Sequence, residues 1–356
     1  MKIVLWHGYL LGGTGSNVYT RSLARVWSRL GHEVVVVCQE PHPERYDIGT
    51  AVVVRPDIGP LLPVFVLDRY DDAVPRLLQD LTDAERDQYV DRNAAAVRAV
   101  DGADVVFANH VLLGGPVGAA SGLPFAVKAH GSELEFSMRG RPDLGEWARR
   151  SLDAARLVVA GSEHISGVLD EVVGPSDYTK RVRVIPPGVD VDDLAPQPRT
   201  QALAALVAEC ARDAALPPGA QTERHPDRHN AERLGDFLAA DERTVVYVGK
   251  LSEEKGVGLL IDALERVDAR AVVVGFGPAR RALEAAASDR VLFTGALEHR
   301  HLRHLWPLAD VSVTPSVFPE AFGMVAAEAA ACGSPPLVAR HSGLAEIAAG
   351  LEAEYP

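Results

Sequence analysis

The sequence predicts an α/β protein made of two doubly wound parallel-sheet domains, and three observations carry that prediction. Short β-branched runs alternate with stretches of helical period from end to end, as parallel strands joined by helical crossovers do. The 356 residues exceed what one hydrophobic core usually organises. A proline-rich segment, Pro186-Pro-Gly-Val-Asp190, interrupts the alternation and divides the chain into residues 1–187 and 188–356.

The elements follow in order. Ile3–Leu5 is the first expected strand, then a glycine loop, Gly12-Gly-Thr-Gly-Ser16. A helix over residues 17 to 30 keeps Val18, Leu23, Val26, Trp27 and Leu30 on one face and ends at Gly31. Strands are expected at Val34–Cys38, Ala51–Val54, Val105–Asn109, Phe125–Ala129, Leu157–Ala160 and Val182–Ile185, with a helix over 84–100. The acidic stretch from Asp68 to Asp91 reads as a solvated helix face. Residues 197–243 carry Pro, Asp, Glu, Arg and His without a clear strand, so they read as helical or loop material between the domains. A second series has strands at Thr244–Val248, Ala271–Val274, Val291–Phe293, Val311–Val313 and Leu337–Ala339.

Composition narrows the function. The net charge of −13 disfavours nucleic acid, which needs clustered Lys and Arg to displace phosphate counterions. Cys38, Cys210 and Cys332 lie far apart, which argues against a disulfide framework or thiolate metal site and fits a reducing cytoplasm. No run of about 18 apolar residues occurs, so no membrane span is expected. A peripheral contact with the inner face of a membrane stays open, because a local basic patch is compatible with an acidic whole.

Ligands of doubly wound sheets sit beyond the carboxyl ends of the strands, where loops lead into helix N-termini. The strongest segment there is Pro319-Glu-Ala-Phe-Gly-Met-Val-Ala-Ala-Glu328. A helix from about Gly323 to Ala331 leaves the N–H groups of Phe322, Gly323, Met324 and Val325 as an anion site suited to a diphosphate. Glu328 lies about 8 Å further along the axis, the reach of a ribose diol. Read alone, Glu328 is as readily one more surface glutamate. Lys250 and Lys255 bracket the loop Val248-Gly-Lys-Leu-Ser-Glu-Glu-Lys-Gly256 and can neutralise a departing nucleoside diphosphate, although two solvated lysines are the commoner meaning of such a loop. In the first half, Gly12 and Gly13 allow close backbone approach to a ligand, and His130 follows a strand end where it can bond a sugar hydroxyl or serve as a structural histidine.

Taken together, PEAFGMVAAE, VGKLSEEKG, the Gly275-Phe-Gly-Pro278 loop, the linker PPGVD and the early GGTG resemble the retaining family 4 glycosyltransferases, and the likeness runs along the whole chain. That resemblance implies the GT-B fold, two Rossmann-like domains facing a cleft. It implies a nucleoside-diphosphate sugar as donor, a glycan, lipid or small-molecule acceptor, and no cofactor or metal. By the same resemblance Glu320 contacts the transferred sugar near its 3- and 4-hydroxyls, and Glu328 the ribose. Lys250 and Lys255 hold the diphosphate with Gly12, Gly13, Gly277 and the segment Phe322, Gly323, Met324, Val325, while His130 binds the 6-hydroxyl of the donor sugar. His130, Glu320 and Lys255 are thus the expected catalytic group, with the leaving phosphate deprotonating the acceptor and no protein nucleophile.

Two departures stand out. The first cation is usually arginine in the family and is Lys250 here, which keeps charge but loses bidentate geometry. Family members also add secondary structure and a closing helix beyond the segment that ends here at Pro356, so the resemblance implies an incomplete second domain that binds donor better than it transfers sugar. Asp190-Val-Asp192 imitates a metal-binding pair but follows the linker rather than lying within one nucleotide domain. A nicotinamide oxidoreductase is disfavoured because neither glycine loop completes G-x-G-x-x-G, Arg280 standing at the third position of one. A sugar-nucleotide 2-epimerase of the same architecture and a non-catalytic nucleotide-sugar-binding module stay as alternatives.

Overall fold

The computed structural model describes residues 1–67, 74–213, 225–240 and 242–354, which divide into two compact units, Met1–Pro187 and Gly188–Pro356. Unit 1 opens with β1 (Lys2–Trp6), α1 (Gly15–Arg29), β2 (Glu33–Val37), β3 (Val52–Val54), β4 (Leu61–Val64), β5 (Val74–Leu77) and α2 (Asp83–Arg98). It continues with β6 (Val105–Asn109), α3 (Gly114–Ser121), β7 (Phe125–Lys128), α4 (Pro142–Ala154), β8 (Leu157–Ala160), α5 (Glu163–Val173) and β9 (Val182–Val184). The main sheet is parallel in the order β3-β2-β1-β6-β7-β8-β9, so the winding reverses between β1 and β6. Helices cover both faces of such a sheet, which is why Val4, Leu5 and Trp6 are all fully buried instead of alternating in and out.

Unit 2 contains α6 (Arg199–Ala211), α7 (Asn230–Ala239), β10 (Thr244–Val248), α8 (Val257–Leu264), β11 (Arg270–Val274) and α9 (Arg280–Ala286). After these come β12 (Val291–Phe293), α10 (His299–Leu305), β13 (Val311–Thr314), α11 (Met324–Ala331), β14 (Pro336–Val338) and α12 (Ser342–Glu354). Its parallel sheet has the order β12-β11-β10-β13-β14, with the reversal between β10 and β13.

Two expectations need correction. Residues 199–211 and 230–239 are helical, as that reading allows, but as α6 and α7 they belong to unit 2 and do not lie between domains. Ala202, Leu206 and Cys210, one turn apart, bury together with Leu234 and Leu238 against Val272, Leu305 and Trp306. Residues 214–224 and 241 of that stretch lie outside the described residues. The acidic run from Asp68 to Asp91 is not one helix face. Residues 68–73 lie outside the described residues, Val74–Leu77 pairs with Leu61–Val64 as a small parallel sheet, and the helix begins only at Asp83, behind a Thr82–Glu85 capping box. The segment through Leu351, given no element above, belongs to α12.

Asp190 and Asp192 sit in a turn after the linker, where the Asp192 amide donates to the Asp190 carboxylate at 3.2 Å and the Leu194 amide to the Asp190 carbonyl at 2.9 Å. No helix among the described residues is long and apolar enough to cross a membrane.

Candidate functional site

The winding reverses between β10 and β13, the position at which doubly wound sheets take ligands, and the loops leaving these strands carry the expected ligand-binding residues. After β10 the chain passes Lys250, which is exposed, and reaches Lys255 at the end of a short 3₁₀ turn, Glu253–Lys255. After β13 it reaches Glu320. The Lys255 ammonium forms an ion pair with the Glu320 carboxylate across 65 residues of sequence. The Glu254 carbonyl ties the two loops together, accepting from the amides of Val317 and Phe318 at 2.9 and 3.2 Å and from the Ser316 hydroxyl at 3.1 Å.

The loop after β11 braces the same edge. Leu251 donates its amide to the Phe276 carbonyl at 2.8 Å and accepts from the Ala279 amide at 3.0 Å. Gly277 has φ +155°, and a Cβ there would lie 2.3 Å from the Leu251 carbonyl oxygen, so only glycine lets these loops approach. Gly277 therefore shapes the lysine loop. The Tyr247 hydroxyl donates to the Lys250 carbonyl at 2.9 Å, and burial, with Glu320 nearby, pushes that phenol well above its usual range.

Helix α11 starts one residue later than expected, with Gly323 as its N-cap, and Ala326 bonds back to the Gly323 carbonyl at 2.9 Å. By helix geometry the amides of Met324 and Val325 have no acceptor within the helix, and the dipole adds positive potential there. Phe322 to Val325 are half-buried, as is Glu328, one turn beyond Met324.

In unit 1 the corresponding reversal lies between β1 and β6, and the loops there hold a compact polar and aromatic cluster. His130 follows β7. Its Nε2 lies 2.9 Å from Asn109 Oδ1, and Asn109 Nδ2 donates to Thr20 Oγ1 at 3.0 Å, which fixes the amide orientation. Nε2 of His130 must then carry the hydrogen, leaving Nδ1 with its lone pair. The fully buried Glu133 accepts backbone N–H groups from His130, Val111 and Leu112 at 3.0, 2.9 and 3.0 Å. Burial outweighs those three donors and pushes its carboxyl up to about 7.

Burial also pushes His7 down to about 4 and His110 and His130 well below the ordinary histidine value, so the three rings are neutral near pH 7. They form a row, with ring centroids 5.8 Å apart for His7 and His110 and 4.5 Å for His110 and His130. In the first glycine loop, the half-buried Gly12 accepts the Asn17 side-chain amide on its carbonyl, while Gly13 is exposed with φ +93°.

One cluster of metal-ligand type occurs among the described residues, Cys210, Asp213 and His301. It is satisfied by protein groups. His301 Nδ1 accepts the Glu298 amide at 3.1 Å, so its Nε2 carries the hydrogen and donates to Asp213 Oδ1 at 3.1 Å, and the Arg300 guanidinium pairs with the same carboxylate. Burial pushes the Cys210 thiol up to about 12, which keeps it protonated. The trio joins α6 to α10.

Of the residues singled out in sequence, Lys255 and Glu320 touch, Lys250 and Gly277 belong to the same loop edge, and Phe322 and Gly323 lead into α11, which carries Met324, Val325 and Glu328. Gly12, Gly13 and His130 lie in the other unit. Sequence reasoning missed Ser316, His341 and Ser342 around Glu320, and His7, Asn109, His110 and Glu133 around His130. The strand-end rule that found Glu320 also applies to His341 and Ser342, which follow β14.

Comparisons with known proteins bear on the family and the fold. A sequence model of Glycosyltransferase Family 4 matches residues 13–193, and one of glycosyl transferases group 1 matches residues 232–353. A D-inositol 3-phosphate glycosyltransferase of Xylanimonas cellulosilytica is 28% identical over 360 residues, covering 94% of this chain and 77% of the relative. A GDP-mannose-dependent alpha-(1-6)-phosphatidylinositol dimannoside mannosyltransferase of Mycobacterium tuberculosis is 39% identical over 130 residues, 35% of this chain and 34% of the relative. Among solved structures, sucrose-phosphate synthase of Thermosynechococcus elongatus superposes with TM-score 0.67 at 22% identity, over 96% of this chain and 82% of that one. Anabaena HepE in complex with UDP and glucose does so with TM-score 0.65 at 18% identity, over 97% and 82%. Both likenesses concern the fold.

Proposed function

The chain belongs to glycosyltransferase family 4, and from that premise we propose that it is a retaining, metal-independent enzyme that moves a sugar from a nucleoside-diphosphate donor to an acceptor hydroxyl. The observation that carries this reading is the Lys255–Glu320 pair at the β10/β13 reversal, with Lys250 and the start of α11 on loops of the same sheet edge. Lys250, Lys255 and the amides of Met324 and Val325 bind the diphosphate, and Glu328 the ribose. Glu320 bonds sugar hydroxyls, and Lys255 holds its carboxylate in place through the ion pair. Nδ1 of the neutral His130 is an acceptor suited to a sugar hydroxyl.

In the reaction the bond from the anomeric carbon to the phosphate oxygen breaks and a bond to the acceptor oxygen forms on the same face. The acceptor proton passes to the departing phosphate oxygen. Charge then grows on the diphosphate, where two lysines and a helix start already provide positive potential, so no metal ion is required for that stabilisation. The reading assigns the enzyme to the cytoplasm, supported by three buried free thiols, with peripheral membrane contact if the acceptor is a lipid.

The names of the relatives supply the first panel: GDP-mannose and UDP-glucose as donors, inositol phosphate and phosphatidylinositol mannosides as acceptors. Transfer measured in excess EDTA tests the metal-free mechanism. Full rate is expected, and a complete loss that added Mg²⁺ or Mn²⁺ restores contradicts it.

A further inference from the structure

The loop carrying Glu320 is fastened to His341-Ser342-Gly343, the turn where the chain leaving β14 enters α12. Ser342 has φ +54°, the left-handed region that non-glycine residues rarely occupy. Its hydroxyl accepts the Glu320 backbone N–H at 2.9 Å, and the next amide, Gly343 N–H, donates to the Glu320 carbonyl at 3.0 Å. Both main-chain polar groups of Glu320 are thus held by two consecutive residues. The turn lies directly on the segment it holds, since a Cβ on Gly343 would meet the Ala321 carbonyl oxygen and Phe322 Cα at 2.6 Å each.

His341 sets the direction of the hydroxyl. Its Nε2 lies 2.8 Å from the Ser316 carbonyl oxygen, which can only accept, so Nε2 carries the ring hydrogen. In the neutral ring Nδ1, 3.1 Å from Ser342 Oγ, is then an acceptor, and the serine hydrogen points at it. The oxygen's lone pairs are left for the Glu320 amide. A left-handed non-glycine residue survives where surrounding structure over-determines it, and here the side chain that glycine lacks makes the contact to Glu320.

We propose that Ser342, oriented by His341, is a positioning residue for Glu320, setting its backbone so that the carboxylate meets both Lys255 and the donor sugar. This rests on the reading of Glu320 as the sugar contact. Glycine suits the left-handed backbone at 342, so Ser342→Gly separates positioning from folding. The expected result is a melting temperature unchanged or raised and nucleoside-diphosphate affinity within about twofold of the parent. With these, kcat falls about tenfold or more while KM for donor changes little. A kcat within twofold of the parent overturns the proposal. So does a parallel fall in melting temperature, nucleotide affinity and kcat, which a merely structural turn would give. A parent protein that makes no product with any donor of the panel removes the transferase reading and the proposal with it, and that outcome is read on the parent alone.

Discussion

Replacing Lys255 by alanine should weaken nucleoside-diphosphate binding far more than replacing Lys250, although both lysines leave the same strand. Lys255 is 32% exposed and its partner Glu320 22%, whereas Lys250 is exposed. A charge-assisted contact in a partly buried setting is worth about 1.5–3 kcal/mol, hence roughly a tenfold to hundredfold rise in Kd for Lys255→Ala. The variant also leaves the Glu320 carboxylate without its cation near the incoming phosphates, which acts in the same direction. An exposed cation is screened and contributes about 0–1 kcal/mol, hence at most about fivefold for Lys250→Ala. Stability should hardly move, because a part-exposed ion pair contributes on the order of 1 kcal/mol or less. Calorimetric titration with GDP and UDP reads both variants at 50 and 200 mM salt, and the loss in Lys250→Ala should be the more salt-dependent. Equal losses in the two variants, or unchanged affinity in Lys255→Ala, would refute the reasoning.

The remaining predictions concern stability. On unfolding, His7, His110 and His130 regain ordinary histidine values and take up protons between about pH 4 and 6.5, so stability should rise with pH through that window. Glu133, protonated in the fold up to about pH 7, opposes the rise with one proton above about pH 4.5. The net slope is at most about 2.7 kcal/mol per pH unit, and a melting temperature that is flat or falls from pH 5 to 6.5 contradicts it. Gly277→Ala should lower stability by about 2–3 kcal/mol and weaken nucleotide binding with it, because the loop bearing Lys250 must retreat from the new methyl group. An unchanged melting temperature in that variant would show that the two loops do not meet as described.

How much the sequence revealed depended on where the decisive contacts lie. The strands of both sheets were legible because strands covered on two faces are nearly continuous β-branched runs, as in Val34 to Val37. Helices α6 and α7 were legible only as helix or loop and not as part of the second core, since their apolar residues are spaced among polar and charged ones and gain meaning only by packing on Val272 and Trp306. The small β4-β5 sheet was hidden by Pro63 and Pro75, which argue against strands in sequence but are tolerated in a short two-stranded pair. Lys255 and Glu320 were located by the rule that ligands gather at strand ends, and the family resemblance lifted Lys255 above the reading as an ordinary solvated lysine. Glu133 escaped because its partners are backbone amides. Ser342 escaped because a left-handed backbone at serine leaves no mark in the sequence.

The central claim is catalytic sugar transfer, and the most direct test is to follow nucleoside diphosphate release and product together by NMR, with each donor in turn, in the presence and absence of acceptor. The account expects acceptor-dependent release of one nucleoside diphosphate per glycoside formed, with the donor's anomeric configuration kept in the product. Saturable donor binding with no acceptor-dependent release would mark a binding module instead, and a product of inverted configuration would contradict the front-face mechanism.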